Sequence, residues 1–220
     1  MNEGDKSVRG YDRLARPYGW LERSLFRGHL QRARLALLGD LPETKHALVL
    51  GDGDGRLLEQ LCRAQPRCRV TSVDQSGQML RRQRQRLDRV GASDRVEWVH
   101  ADARDFRPTA SQYDLLVTAF FLDCFSRQEL PSLLEQWLHG VRSGGVLYFV
   151  DFVQPRSGWR RSRAAVYLAI MHRFFRWQTG LPNRSLVDLI AVLDERPISL
   201  IKSTRHNHEM IVSRLYRVDH

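Results

Sequence analysis

Residues 47–58 read ALVLGDGDGRLL. The apolar run Leu48-Val49-Leu50 has the character of a buried strand. Gly51-Asp52-Gly53-Asp54-Gly55 follows at once, and Arg56-Leu57-Leu58-Glu59-Gln60-Leu61 opens a helical pattern. Open α/β sheets use this junction of strand, glycine loop and helix to hold nucleotide-like ligands. Glycine allows positive φ there and lets a ligand approach the backbone.

The spacing narrows the ligand. A dinucleotide fingerprint is G-x-G-x-x-G, but here the third glycine comes one residue early and Arg56 stands where the last glycine belongs. No Lys-Ser or Lys-Thr follows, as a phosphate loop would need. Asp52 and Asp54 would repel a pyrophosphate and suit a ligand carrying an ammonium or sulfonium charge. Asp54 also suits the N-cap of the following helix.

Working outward, Arg69–Val73 is β-branched and reads as a second strand ended by Asp74. An acid about twenty residues past the loop is placed to accept hydrogen bonds from ribose hydroxyls. Ser76 suits the N-cap of a helix over 77–90, which Gly91-Ala92-Ser93-Asp94 breaks. Arg95–Val99 reads as a third strand, ending in His100-Ala101-Asp102-Ala103. Asp102, beside the ribose acid, can accept from the exocyclic amine of adenine. Tyr113–Ala119 is a fourth strand, and 120–125 a loop into a helix over 128–139. Ser143-Gly144-Gly145 turns into a fifth strand, Val146–Phe152. This alternation builds βαβ units and a parallel sheet. Gly51, Asp74, Asp102 and Thr118-Ala119 all fall at the carboxyl ends of strands, where such sheets bind ligands.

The series VLGDGDGRLL, VTSVDQSGQML, VHADARDF, YDLLVTAFFLDCF and RSGGVLYFVDF resembles the motif order of class I S-adenosylmethionine-dependent methyltransferases over about residues 47–152. The resemblance implies a Rossmann-like, doubly wound seven-stranded α/β sheet of order 3-2-1-4-5-7-6 with its last strand antiparallel. It implies N-terminal helices and a helical insertion after strand five. S-adenosyl-L-methionine would be the cofactor and S-adenosyl-L-homocysteine the product. Gly51, Gly53 and Gly55 would border the methionine part, with Asp52 among them. Asp74 would hold the ribose and Gln75 lie along the adenine, Ser76 joining them in the cofactor set. Asp102 with Ala103 would meet the adenine edge, and Thr118 and Ala119 would line the cofactor. The opening YDRLARPY is similar to the Y-D-x-x-A-x-x-Y segment of quinone-biosynthesis and phospholipid-type methyltransferases, which implies that Tyr11 and Tyr18 cover the cofactor. The family often has Cys and Thr where Asp52 and Asp54 stand.

The ends of the chain bear on the acceptor. Leu21, Leu25, Phe26, Leu30 and Ala33 recur at helical spacing within 11–38. Tyr11, Tyr18 and Trp20 either flap over the glycine loop or pack on the sheet edge. Residues 158–179, GWRRSRAAVYLAIMHRFFRWQT, read as a long aromatic helix, either core or the wall of a greasy acceptor pocket. A second helix covers 185–193, and 198–203 with 209–218 can pair as a closing hairpin. One domain over 1–220 is expected: a helical cap over 1–40, the cofactor core over 45–152, acceptor-side helices over 153–195 and the hairpin over 196–220. Methyl transfer needs alignment first, and a base only where the acceptor must lose a proton. His172 and Asp123 are the candidates. Against these roles stand a structural histidine and a helix N-cap. His206 and His208, at a hairpin turn, give little basis for a metal, and none is assigned. No Asn-Pro-Pro-Tyr-like clamp appears, which argues against adenine N6 methylation.

The 220 residues suffice for one α/β core. Cys62, Cys68 and Cys124 lack C-x-x-C spacing, which points to reduced thiols and a cytoplasmic setting. The polar N-terminus does not read as a signal peptide. Net charge is +10, much of it in Arg81, Arg82, Arg84, Arg86 and Arg89 and in Arg156, Arg160, Arg161 and Arg163. Those groups are a solvated face, or attract an anionic substrate, a membrane surface or RNA. The preferred expectation is methyl transfer to a small hydrophobic or aromatic acceptor, at oxygen. RNA methylation and a cofactor-binding regulatory protein without transfer are the alternatives.

Overall fold

A computed structural model describes residues 28–153 and 187–219 of the chain. Tyr11, Tyr18, Trp20, the 158–179 helix and His172 lie outside the described residues.

In chain order the elements are α1 (His29–Leu35), β1 (His46–Leu50), α2 (Arg56–Ala64), β2 (Arg69–Asp74), α3 (Gly77–Asp88), β3 (Val96–His100), β4 (Tyr113–Ala119), α4 (Leu130–His139), β5 (Val141–Phe152), α5 (Leu189–Asp194), β6 (Ile198–His206) and β7 (Ile211–Val218). The sheet has seven strands in the order β3-β2-β1-β4-β5-β7-β6. β1 to β5 run parallel, and β7 is antiparallel to both β5 and β6.

The apolar strands have both faces covered, as a parallel sheet requires. Ala47, Val49, Leu115, Val117, Tyr148 and Val150 face α1 and α2, whose Leu30, Ala33, Leu57, Leu58 and Leu61 are buried against them. Leu48, Leu50, Leu116, Leu147 and Phe149 face α4 and α5, with Trp137 and Leu134 at the centre. Two hydroxyls fasten α1 to the sheet. Tyr148 Oη donates to Arg34 O at 2.9 Å, and Ser213 Oγ donates to Ala33 O at 2.8 Å.

Several boundaries differ from the sequence reading. β5 begins at Val141 because Ser143-Gly144-Gly145 is a bulge inside the strand rather than a turn before it. Tyr113 pairs with Val141 while Leu115 already pairs with Val146. Gly144 has φ +73, and a Cβ on Gly145 would lie 2.6 Å from a Val141 methyl, so both positions favour glycine. α4 starts at Leu130, and Asp123 does not cap it. Ser126 and Glu129 form a capping box instead: Ser126 Oγ accepts from Glu129 N–H at 3.2 Å, and Glu129 Oε2 accepts from Ser126 N–H at 3.0 Å. β6 is an edge strand, broken in register near Ile201. No helix among the described residues is long and apolar enough to cross a membrane.

Candidate functional site

The glycine loop leaves β1 with Gly51 N–H still bonded to Val73 O at 2.9 Å, then turns through φ +63, +60 and +81 at Gly51, Gly53 and Gly55. The three positions answer different demands. A Cβ on Gly51 would sit 2.1 Å from the Phe121 ring, and one on Gly55 would sit 3.0 Å from Gln83 Cα. Protein atoms, not a ligand, occupy those approaches. Gly53 has nothing within 4 Å of its Cβ position, so its side of the loop is the open one.

Gln83 holds the loop from behind. Its Nε2 donates to Gly53 O at 2.9 Å, and its Oε1 accepts from Ser72 Oγ at 2.7 Å. The sequence reading passed over it, yet there was a signal. Gln83 is a polar residue midway between Met79 and Leu87 on the apolar stripe of α3, and it is fully buried. Polar groups at such positions are hydrogen-bonded.

The two loop aspartates divide their roles. Asp54 does not cap α2: its carboxylate pairs with Arg56 Nε at 3.0 Å and Arg86 Nη2 at 3.1 Å. The first helical turn is capped by Asp52, whose Oδ2 accepts from Leu58 N–H at 2.8 Å. Asp52 Oδ1 is buried and has no hydrogen-bond partner. Burial pushes the Asp52 carboxyl up to about 7. Arg34 and the Leu58 amide oppose that rise, and Asp54 and Asp74 add to it.

The acids at the ends of β2 and β3 are neighbours, since Asp74 pairs in register with His100 and Ala101 N–H reaches Asp74 O. Asp74 Oδ1 accepts from Ser76 N–H at 2.9 Å. Ser76 is the N-cap of α3, its hydroxyl accepting from Met79 N–H at 3.3 Å. Gln75 O meets His100 Nε2 at 3.0 Å. Asp102 Oδ1 accepts from Arg104 N–H at 2.9 Å, so both acids are turned and held by backbone amides just past their strands. Ala103 O accepts from Trp137 Nε1 at 3.1 Å, which ties this loop to α4.

At the end of β4, Thr118 and Ala119 point to opposite faces of the sheet. Thr118 is fully buried, and its Oγ1 has no hydrogen-bond partner. Phe120 follows at φ +54, a strained conformation for a bulky residue. Its N–H is held by Val150 O at 2.8 Å. Asp123 sits half-buried in a 3₁₀ turn, Leu122–Cys124. The end of β5 supports this turn, because buried Asp151 accepts from Leu122 N–H at 3.2 Å and Phe152 N–H at 2.8 Å. Burial raises the Asp151 carboxyl well above the usual carboxylate range, and the nearby Asp123 charge raises it further.

A glycine loop after β1, acids after β2 and β3, and a seven-stranded sheet whose final pair runs antiparallel together define the class I methyltransferase fold. Residues 47–145 match the model of a methyltransferase domain. The chain is 37% identical over 121 residues to a trans-aconitate 2-methyltransferase of Azoarcus sp. strain BH72, covering 53% of this chain and 43% of that one. It is 28% identical over 149 residues to the ubiquinone/menaquinone biosynthesis C-methyltransferase UbiE of Syntrophotalea carbinolica, covering 67% and 61%. The chain thus spans about half the length of the curated relatives it matches. Among solved structures, N-methyltransferase NodS from Bradyrhizobium japonicum WM9, in complex with S-adenosyl-L-homocysteine, superposes with a TM-score of 0.67 at 18% identity, covering 98% and 100%. Mitomycin 7-O-methyltransferase MmcR also gives 0.67, at 16% identity, covering 94% and 60%.

The residues present fit S-adenosylmethionine. Gly53 leaves room, the unpartnered Asp52 oxygen is an acceptor for an ammonium, and Asp74 and Asp102 offer carboxylates at adjoining strand ends.

Proposed function

We propose that the protein transfers a methyl group from S-adenosylmethionine to a small acceptor, with an oxygen of a hydrophobic or aromatic molecule as the preferred target. The supporting observation is the placement of Gly53, Asp74 and Asp102 at or just past the carboxyl ends of the neighbouring parallel strands β1, β2 and β3. Bound S-adenosylmethionine would supply a methyl group already activated on a sulfonium. The chain's own contribution is then binding and alignment. Asp74 accepts from the ribose hydroxyls, Asp102 from the adenine amine, and Gln75, Ala103, Thr118 and Ala119 border the ring and its link to the loop. Holding acceptor and donor in line contributes roughly 7–11 kcal/mol in favourable cases.

An acceptor such as a phenol must also lose its proton, and Asp123 is the described residue assigned to take it. Its turn is anchored from β5 by Asp151. His172 is the second candidate. The relatives named above are N-, O- and C-methyltransferases, which fits a small-molecule acceptor and leaves the target atom to this chain's own residues. The test is incubation with methyl-labelled cofactor and a panel of phenols, quinols, amines and lipids, read by mass spectrometry. A labelled apolar phenol or quinol is expected. Label appearing only in RNA, or in no acceptor while the cofactor binds, would overturn the reading.

A further inference from the structure

The two edges of the sheet are finished differently. β3 is five residues long, and its exposed residues are Glu97 and His100. A short, charged edge resists pairing with another chain. β6 has nine residues, and among the described residues only β7 pairs with it. Leu200 and Ile201, near its middle, are 51% and 55% exposed, and they are the exposed large hydrophobics of the described residues. Ile201 has no partner on β7 because the register slips there, so two apolar side chains stand together. The lysine that could guard this edge is drawn aside, since Lys202 Nζ donates to Asp40 Oδ1 at 2.6 Å. The outer side of β6 is thus a run of backbone groups with an apolar centre, which is a template for a further strand.

The charges at its two ends select that strand. Arg205 pairs in register with Val212, which is packed among the residues facing α4 and α5, so Arg205 lies on that face. It is exposed and makes no ion pair among the described residues. At the other end of β6, α5 closes on the same face with Asp194 and Glu195, whose side chains are 61% and 66% exposed. The cations beside them, Arg214 and Arg196, stand 3.9 and 3.8 Å away and are mostly buried, which leaves the acids facing outward. Leu200 is midway in sequence between Glu195 and Arg205. A second β6 laid antiparallel about Leu200 brings each Arg205 to Glu195 of the other copy, and the two apolar centres together. A parallel strand would set like charges side by side.

We propose that β6 joins two copies of this chain, edge to edge and antiparallel, into one continuous sheet about a two-fold axis. The carboxyl ends of the parallel strands then point in opposite directions in the two copies, so both crevices stay open.

Sedimentation equilibrium of the full chain over a range of concentrations tests it. A monomer–dimer equilibrium is expected. Ile201→Lys places a charge at the axis and should leave the chain monomeric, with an unchanged melting temperature because Ile201 is exposed. Arg205→Glu and Glu195→Arg each set like charges together at both ends of the contact and should weaken the dimer at least about tenfold. Mixed in equal amounts, these two variants should dimerise with each other about as tightly as wild type, since both ends are then complementary. Such recovery requires two antiparallel copies and cannot arise within one chain. Where Ile201→Lys does not fold, the mixture decides. A wild-type chain that stays monomeric, oligomers that grow past the dimer, or mixed variants that stay apart would overturn the proposal. So would a dimer that a folded Ile201→Lys chain forms as tightly as wild type.

Discussion

Asp52 shows how much one residue of the loop is asked to do. It caps α2, lies in the field of Arg34 and keeps one oxygen without a partner. Its pKa is raised from 3.8 to about 7, so the folded state binds a proton that the unfolded chain releases between those values. Stability contributed at this site is therefore lost as pH rises from about 4 to 7, by roughly 4 kcal/mol at most. Asp52→Asn should melt higher than wild type at pH 8, and the difference should shrink by pH 5. Buried Asp151 has the same sign, which is why the difference between variant and wild type is the quantity to measure. Asp74→Ala should weaken S-adenosylhomocysteine at least tenfold by calorimetry, since a charge-assisted hydrogen bond contributes about 1.5–3 kcal/mol. Unchanged affinity would remove Asp74 from the ribose. The placement of Asp74, Asp102 and the glycines past the ends of β2, β3 and β1 was legible because the alternation of strands and helices sets it. Arg34, Phe121 and Asp151 were not. Each acts across seventeen or more residues of intervening chain, on Asp52, Gly51 and Leu122 respectively, and no local spacing encodes that.

At the level of elements, periodicity found every described strand and erred at the edges. The bulge at 143–145 reads as a turn because serine and two glycines mark turns and bulges alike. Only the pairing of Tyr113 with Val141 separates the two. The start of α4 was legible in principle, since Ser126-Arg127-Gln128-Glu129 has the S-x-x-E spacing. Ser126→Ala should cost about 1 kcal/mol in chemical denaturation and loosen the turn that carries Asp123. A stability equal to wild type would show that the box contributes nothing. Trp137 links α4 to the Ala103 loop, so the helix supports the segment that carries Asp102 as well as the core.

For the whole molecule, the net charge of +10 invites a polyanion, and the described structure assigns part of it elsewhere. Arg86 is engaged by Asp54 and Glu59, Arg84 lies over Trp98, and Arg104 is shared between Asp102 and Glu129. Fluorescence anisotropy with a labelled RNA oligonucleotide should therefore give no saturable binding near physiological salt. Tight binding with a steep salt dependence would favour RNA as the acceptor. The central claim is that parallel strand ends grip an adenosyl sulfonium. Its most direct test is a crystal grown with S-adenosyl-L-homocysteine. The account predicts the adenosine across the ends of β1 to β4, its ribose on Asp74 and its amino-acid end beside Asp52. An empty crevice, or a nicotinamide nucleotide bound there in preference, would contradict it.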